Sequence, residues 1–352
     1  MSSQPSPLGP IADGRPAGDP IDVVEALMVR LAAGSHLDRC GAMVVQHLTT
    51  GGKRLRARLA LAAVDALGGT ARDGVGWAAA CELLHNASLV HDDVQDGDRV
   101  RRGSPTLWAR HGEAQAINAG DLLLMLPTLA LDEVDASPAV RWELARTLAW
   151  YAAETVRGQS LEMSLLGHRR LRWIDYERAA HGKTAGFFAL PVAGAAALAE
   201  LPRARGAALA QCFAHIGLVF QIQDDIIDLF GNKQRDKPGA DLREGKVSAL
   251  VAQHLELYPE EEGWWLGLLE TPRDETTDRQ VEQARRRFVE GGALEELLER
   301  VYTISRAAYD NPLLRELPQL NEVACATLDR ALAGLRELDP SMPTYASATA
   351  RG

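Results

Sequence analysis

The stretch from Val75 to Asp96 reads VGWAAACELLHNASLVHDDVQD. Its apolar residues Trp77, Ala80, Cys81, Leu84 and Ala87 recur every three or four positions, the period of a helix with one buried face. Ser88 falls four residues after Leu84 and shares its face. The helix then runs into three carboxylates, Asp92, Asp93 and Asp96. A second stretch, HIGLVFQIQDDIIDLFG from His215 to Gly231, repeats the design and carries Asp224, Asp225 and Asp228. Positions i and i+4 share a helix face and i+1 lies one step round, so each quintet sets two or three carboxylates on one patch. Like charges so close repel unless a cation joins them. Oxygen ligands suit Mg²⁺, which keeps waters and completes its shell with substrate phosphates. With 24 Asp in 352 residues, chance supplies a D-D-x-x-D match roughly 0.1 times per chain, so two copies at the ends of apolar helices point to function.

Outward from these two stretches the helical period persists. Helices are expected at 21–33, 39–48, 54–67, 113–131, 138–166, 173–199, 203–231, 246–257, 278–290, 294–311 and 319–337. Loops are expected at 68–74, 97–105, 231–245 and 258–278, the last polar and mobile. Residues 1–20 carry five prolines and read as a flexible arm rather than a signal peptide. Residues 339–352 read as a frayed tail. No strand alternation or linker interrupts 21–338, so the expected fold is all-α: one large helical bundle around a central cavity. Abundant Ala and Leu agree with that.

Composition excludes several classes. Hydrophobic residues make up 46% and charged residues 24%, values of a globular chain. The formal charge of −10 disfavours a nucleic-acid partner. Cys40, Cys81, Cys212 and Cys325 are too scattered for a zinc site or disulfide framework, which fits a reducing cytoplasm. The longest apolar run, 187–199, falls short of a bilayer span. No transmembrane segment is therefore expected.

Paired carboxylate patches that gather Mg²⁺ imply a diphosphate ligand, and a diphosphate needs further cations. Arg99, Arg101 and Arg102 follow the first quintet in DRVRRG. Gly51-Gly52-Lys53-Arg54-Leu55-Arg56 couples glycines, which let backbone approach an anion, with cations that meet phosphate oxygens. Lys183-Thr184 stands in HGKTAG, and Lys237 and Lys246 flank KPGADLREGK. Singly each cluster has an ordinary reading as a solvated basic surface.

In their order, GGKRLR, LVHDDVQDGDRVRRGSPT, GKT and FQIQDDIIDLFG followed by DLREGK make the chain resemble the trans-isoprenyl diphosphate synthases, the polyprenyl synthetase family, over about residues 40–250. The resemblance implies an all-α homodimer that condenses an allylic diphosphate with isopentenyl diphosphate. By matching motif, Asp92 and Asp96 correspond to ligands of two Mg²⁺ and Asp224 to a ligand of a third. Asp93, Asp225 and Asp228 correspond to ligands, water-mediated ligands or supports. Arg101, Lys183, Lys237 and Lys246 match the allylic diphosphate site. Lys53, Arg56, His85 and Arg102 match the isopentenyl diphosphate site. Thr184 and Gln221 lie where the family stabilises the allylic cation, and Lys183 belongs to the same catalytic group. Asp241 and Lys246 match an element that closes the site. The loop before Lys237 is one residue shorter than in some relatives, so its register can slip.

In the family, the side chains four and five residues before the first quintet help set product length. Here they are Ser88 and Ala87, both small, with Leu84, Leu83 and Cys81 a turn deeper and Met125 on a possible facing helix. A bulky aromatic would stop growth near fifteen carbons. Its absence, with a motif style resembling bacterial geranylgeranyl diphosphate synthases, points to twenty carbons, with longer polyprenyl chains as the alternative. A terpene cyclase is disfavoured by the intact second quintet and by GGKRLR. A silent regulatory subunit is disfavoured by six retained aspartates.

Overall fold

A computed structural model describes residues 19–36, 38–167, 170–231 and 238–345. The expected arm at 1–20 lies outside the described residues up to residue 18, and so does Lys237. The first third of the chain builds α1 (Pro20–Ala33), α2 (Arg39–Leu48), α3 (Leu55–Ala66) and α4 (Ala71–Gln95). Next come α5 (Leu107–His111), α6 (Glu113–Ala130), α7 (Pro138–Ser164), α8 (Trp173–Ala180), α9 (Gly186–Leu198) and α10 (Arg203–Phe230). The remainder forms α11 (Ala240–Arg243), α12 (Ala249–Leu257), α13 (Glu262–Leu269), α14 (Asp278–Glu290), α15 (Ala293–Tyr309), α16 (Pro312–Arg315) and α17 (Pro318–Leu332). The all-α bundle expected from the sequence is what forms.

Helix α4 starts inside the segment read as the loop 68–74, because Thr70 and Asp73 close a reciprocal capping box over its first turn. It packs along α3 and α6, while α10 packs along α9, α15 and α17. Trp77 is fully buried and donates its indole N–H to the Pro191 carbonyl at 2.9 Å, which ties α4 to α9. The two helices that carry the quintets are therefore both core elements. Helix α10 and the 113–133 segment have the length and apolarity of a membrane span, and the expectation from run length did not see this. Both pack within the bundle, and α10 is buried along most of that window.

Four other expectations change. The stretch 173–199 is not one helix: a π-helical turn at His181–Ala185 separates α8 from α9. The loop 97–105 contains a two-residue antiparallel ribbon, β1 (Val100–Arg101) paired with β2 (Ser104–Pro105). Arg102 and Gly103 turn it with φ of 52° and 74°, the left-handed pair of a tight hairpin. The loop 258–278 holds α13, since Trp265, Leu268 and Leu269 of WWLGLL bury, Trp265 stacking on Phe288 at 4.6 Å. Residues 339–345 are docked rather than frayed. Tyr345 is buried, pairs its hydroxyl with Ser305 at 3.0 Å and donates its backbone N–H to Asp329.

Candidate active site

The GGKRLR segment leads into α3 through Gly51, Gly52 and Arg54, all at positive φ. Arg54 is buried, pairing with Glu25 at 2.6 Å and donating to the Leu48 carbonyl, so this cation locks the segment to α1 and α2. Lys53 is exposed and Arg56 is half-buried. The Arg56 guanidinium lies 5.0 Å above Phe188, with its Nε unpartnered. A Cβ on Gly52 would stand 2.7 Å from the Arg102 guanidinium, which donates to the Gly51 carbonyl. The glycine thus admits Arg102, and the ribbon turn and GGKRLR meet.

His85 faces this cluster from α4, with its ring edge on Phe187 at 5.2 Å and its Nδ1 unpartnered. Burial, then Arg56, Arg102 and Arg101, hold it well below the usual histidine range. Burial, then Arg102, Arg101 and Arg54, push His47 down to about 4. Arg56 falls to about 10, through burial and the neighbouring Arg102 against Glu82. Cations crowded this close together, with Arg56 Nε and His85 Nδ1 unpartnered, have the chemistry to take an anion. Glu82, which carried no signal of its own in the sequence, accepts the Ala57 N–H at 3.1 Å from full burial and so fixes the start of α3.

Across the site, Asp92 is half-buried at the end of α4, and its carboxylate has no hydrogen-bond or ion-pair partner among the described residues. Burial raises its pKa, Lys183 lowers it and Asp96 adds to the rise. Asp96 is held by Lys246 at 2.8 Å. Asp93 faces the other way, buried, accepting from Arg101 Nε at 2.6 Å, and burial raises it to about 6.

Lys183 pairs with Glu162 of α7. Burial works against its charge, but Glu162 and Asp92 outweigh burial and leave its pKa raised. The π-helical turn explains its placement. A Cβ on Gly182 would lie 2.8 Å from the Gly158 Cα, so two glycines let this turn press against α7. The sequence offered no signal for Glu162, because its partner lies 21 residues away across a helix boundary.

In the second quintet Asp225 is buried and saturated. It accepts from the Ala249 N–H at 2.7 Å, the Tyr176 hydroxyl at 2.8 Å and the Gln221 amide at 2.7 Å. Burial pushes it up to about 7 against these donors. Gln221 in turn accepts from the Thr184 hydroxyl at 2.6 Å. Asp228 is buried and accepts the Asp241 N–H at 3.1 Å, while Asp224 is half-buried. Burial, then Asp225 and Asp228, raises Asp241 well above the carboxylate range. Lys246 joins the two quintet regions, bonding Asp96 and, at 2.9 Å, Glu244. Burial lowers its pKa, but Asp96, Glu244 and Asp241 raise it more. Arg273, from the polar loop 270–277, reaches Asp98 at 3.4 Å and Glu244 at 3.2 Å. Arg99 stacks over Trp108 and takes no part in this network.

No three His, Cys, Asp or Glu side chains among the described residues gather closely enough to hold an ion unaided. The donors still fit a hard divalent cation. Asp92 and Asp96 are one helical turn apart, and Asp92 is a desolvated carboxylate without a partner among the described residues, which gains from a cation more than from water.

Beside Asp92 opens a cavity of about 470 Å³ lined by Leu84, Ser88, His91, Leu124, Val156, Gln159, Met163 and Phe187 among others. Leu84 and Ser88 share its wall as their spacing implies. Ala87 does not line it: one residue before Ser88 it points about 100° away and is fully buried in the core. Leu83 and Cys81 are likewise core residues off the wall. Met125 points out to solvent, and Leu124 supplies the contact from α6.

A family model described as polyprenyl synthetase matches residues 39–287. A (2E,6E)-farnesyl diphosphate synthase of Mycobacterium tuberculosis is 37% identical over 202 residues, 57% of this chain and 56% of that protein. The chain therefore matches little more than half the length of that relative. A geranylgeranyl diphosphate synthase of Methanosarcina mazei is 31% identical over 247 residues, 70% of this chain and 74% of that one. The crystal structure of a geranylgeranyl pyrophosphate synthetase from Pyrococcus horikoshii superposes with a TM-score of 0.78 at 24% identity, covering 88% of this chain and 96% of that chain. That likeness speaks for the fold.

Proposed function

The chain belongs to the polyprenyl synthetase family, and from that premise we propose that it is a Mg²⁺-dependent trans-prenyltransferase. It condenses an allylic diphosphate with isopentenyl diphosphate and makes geranylgeranyl diphosphate. The observation that carries the reading is Asp92 on the wall of an apolar cavity, under the charges of Lys183 and Arg101, with Asp96 one turn on held by Lys246.

Lys53, Arg56, His85 and Arg102 bind isopentenyl diphosphate. Arg101, Lys183, Lys237 and Lys246 bind the allylic diphosphate, Lys183 and Lys246 first leaving Glu162 and Asp96. Asp92, Asp96 and Asp224 hold the metal, three ions by the family pattern. Asp93, Asp225 and Asp228 support them, since each accepts hydrogen bonds from protein donors. When bound, Mg²⁺ supplies positive charge that stabilises the diphosphate leaving group. The C1–O bond of the allylic substrate breaks, and its electron pair leaves with the diphosphate. Lys183 and Arg101 receive that charge. Thr184 and Gln221 direct oxygen lone pairs at the allylic cation, and the apolar wall excludes water from it. The double bond of isopentenyl diphosphate attacks C1, and the resulting cation loses a proton to the released diphosphate.

Twenty carbons is supported by small Ser88 and by Leu84 one turn deeper on the same wall. The relatives make different products, so length is this chain's own property. Leu84→Ala should lengthen the product by one isoprene unit or more, read by reversed-phase chromatography, and an unchanged product would remove Leu84 as the floor. A homodimer is supported by exposed Ile117, Met125 and Leu129 on α6, apolar side chains that a monomer leaves wet. We place this dimer in the cytoplasm. The deciding assay supplies Mg²⁺, labelled isopentenyl diphosphate and each allylic starter. Failure to incorporate label with any starter would sink the reading.

A further inference from the structure

Tyr176 stands at a junction of three helices and has no part in the motifs. It is buried on α8, with its hydroxyl 2.8 Å from Asp225 Oδ2 of α10. The same oxygen takes the N–H of Ala249, the first residue of α12, at 2.7 Å. Two donors on Oδ2 hold the carboxylate plane and leave Oδ1 for one neighbour. That neighbour is the Gln221 amide, whose Nε2 donates at 2.7 Å. An amide that gives its nitrogen to one side must turn its oxygen to the other. Gln221 Oε1 duly accepts the Thr184 hydroxyl at 2.6 Å. The Thr184 hydrogen is thereby committed, and the remaining lone pairs of its oxygen are free for a positive centre.

We propose that Tyr176 is a positioning residue for the allylic cation. Through Asp225 it fixes the polarity of the Gln221–Thr184 pair, so that this pair presents electron-rich oxygen and not hydrogen to the reacting carbon. The inference rests on the prenyltransferase reading. Removing the hydroxyl leaves Oδ2 with a single donor, and the carboxylate can rotate. Once it rotates, the Gln221 amide is no longer obliged to face it with nitrogen. A reversed amide would then offer N–H to Thr184, and the hydroxyl would aim its proton at the cation. Buried chains of this kind polarise as a unit, so a change at one end is felt at the other.

Tyr176→Phe keeps the ring and deletes only the hydroxyl. It should lower kcat about tenfold and leave the KM for isopentenyl diphosphate unchanged, because Lys53, Arg56 and His85 lie on α3, α4 and the segment before them. The decisive comparison adds the same change to Gln221→Ala, where the relay is already cut. There Tyr176→Phe should cost no further kcat. An undiminished kcat in the single variant, or an equal additional loss in the Gln221→Ala background, would overturn the proposal. Should Tyr176→Phe fold poorly by circular dichroism, Asp225→Asn serves instead. It is isosteric, yet it opposes its own amide nitrogen to that of Gln221, and should lower kcat at saturating Mg²⁺. A full kcat there would equally overturn the proposal. Wild-type turnover run alongside separates the two questions: an inactive wild type refutes the prenyltransferase reading, and an active wild type with indifferent variants refutes only the role of Tyr176.

Discussion

The two aspartate quintets share a spacing and a position near the end of an apolar helix, yet their surroundings divide them. In the first, Asp92 has no partner among the described residues and Asp96 is held by one lysine from another element. In the second, Asp225 takes three donors from three different helices, and Asp228 holds the backbone of the following turn. The first leaves a carboxylate without a partner among the described residues, whereas the second is a structural joint. The middle aspartates show it best. Asp93 pairs with an arginine eight residues on, in the ribbon that follows its own helix, while Asp225 knits α8, α10 and α12 together. An identical motif therefore does not carry an identical distribution of function and stability.

The contrast is sharpest under alanine. Asp92→Ala should cut turnover about a thousandfold while the melting temperature holds or rises, since a desolvated carboxylate with no partner among the described residues is removed. Asp225→Ala should lose turnover and also about 2 kcal/mol of stability, because three buried donors are orphaned. Equal destabilisation of the two variants in urea unfolding would erase the distinction.

A pH titration tests the same difference more finely. Asp225 has its folded pKa raised to about 7 from 3.8, chiefly by burial. A raised carboxyl pKa contributes stability that is present at low pH and lost as pH rises through the folded value. From this group alone, metal-free protein should gain about 2 kcal/mol between pH 8 and pH 5.5. Asp225→Asn should remove that part of the slope, and a slope identical to wild type would show that Asp225 is ionised throughout.

The smallest expected effect concerns the bridge between the quintets. Lys246→Met should change stability by about 0.5 kcal/mol, as partly exposed ion pairs do. It should nonetheless tighten Mg²⁺ binding in calorimetry, because Asp96 is released from its lysine. Unchanged Mg²⁺ affinity would mean that Asp96 does not meet the metal.

Much of this was legible in the linear chain, and the limits follow from range. Helical period located α4, α6, α7 and α10, because one buried face repeats within a few residues. It could not see the π-helical turn at His181–Ala185, which exists because Gly158 and Gly182 touch across two helices. The family resemblance placed Ala87 beside Ser88 as a chain-length residue, but a single residue's rotation sends it into the core. Loop 258–278 misled because its acidic start outweighed WWLGLL, whose burial depends on Phe288 of a later helix.

By itself the sequence determined the chemistry on offer: two carboxylate patches, several cations, and enough Ala and Leu to wall a cavity. Those are properties of residue type and local spacing, and the helix turns them into faces. The tertiary structure alone decided which charges are spoken for. It paired Lys183 with Glu162, Lys246 with Asp96 and Glu244, and Asp225 with Tyr176, and it left Asp92 without a partner among the described residues. Partners so far apart in the chain meet only through packing, and burial then sets how strongly each ionised group seeks a counter-ion.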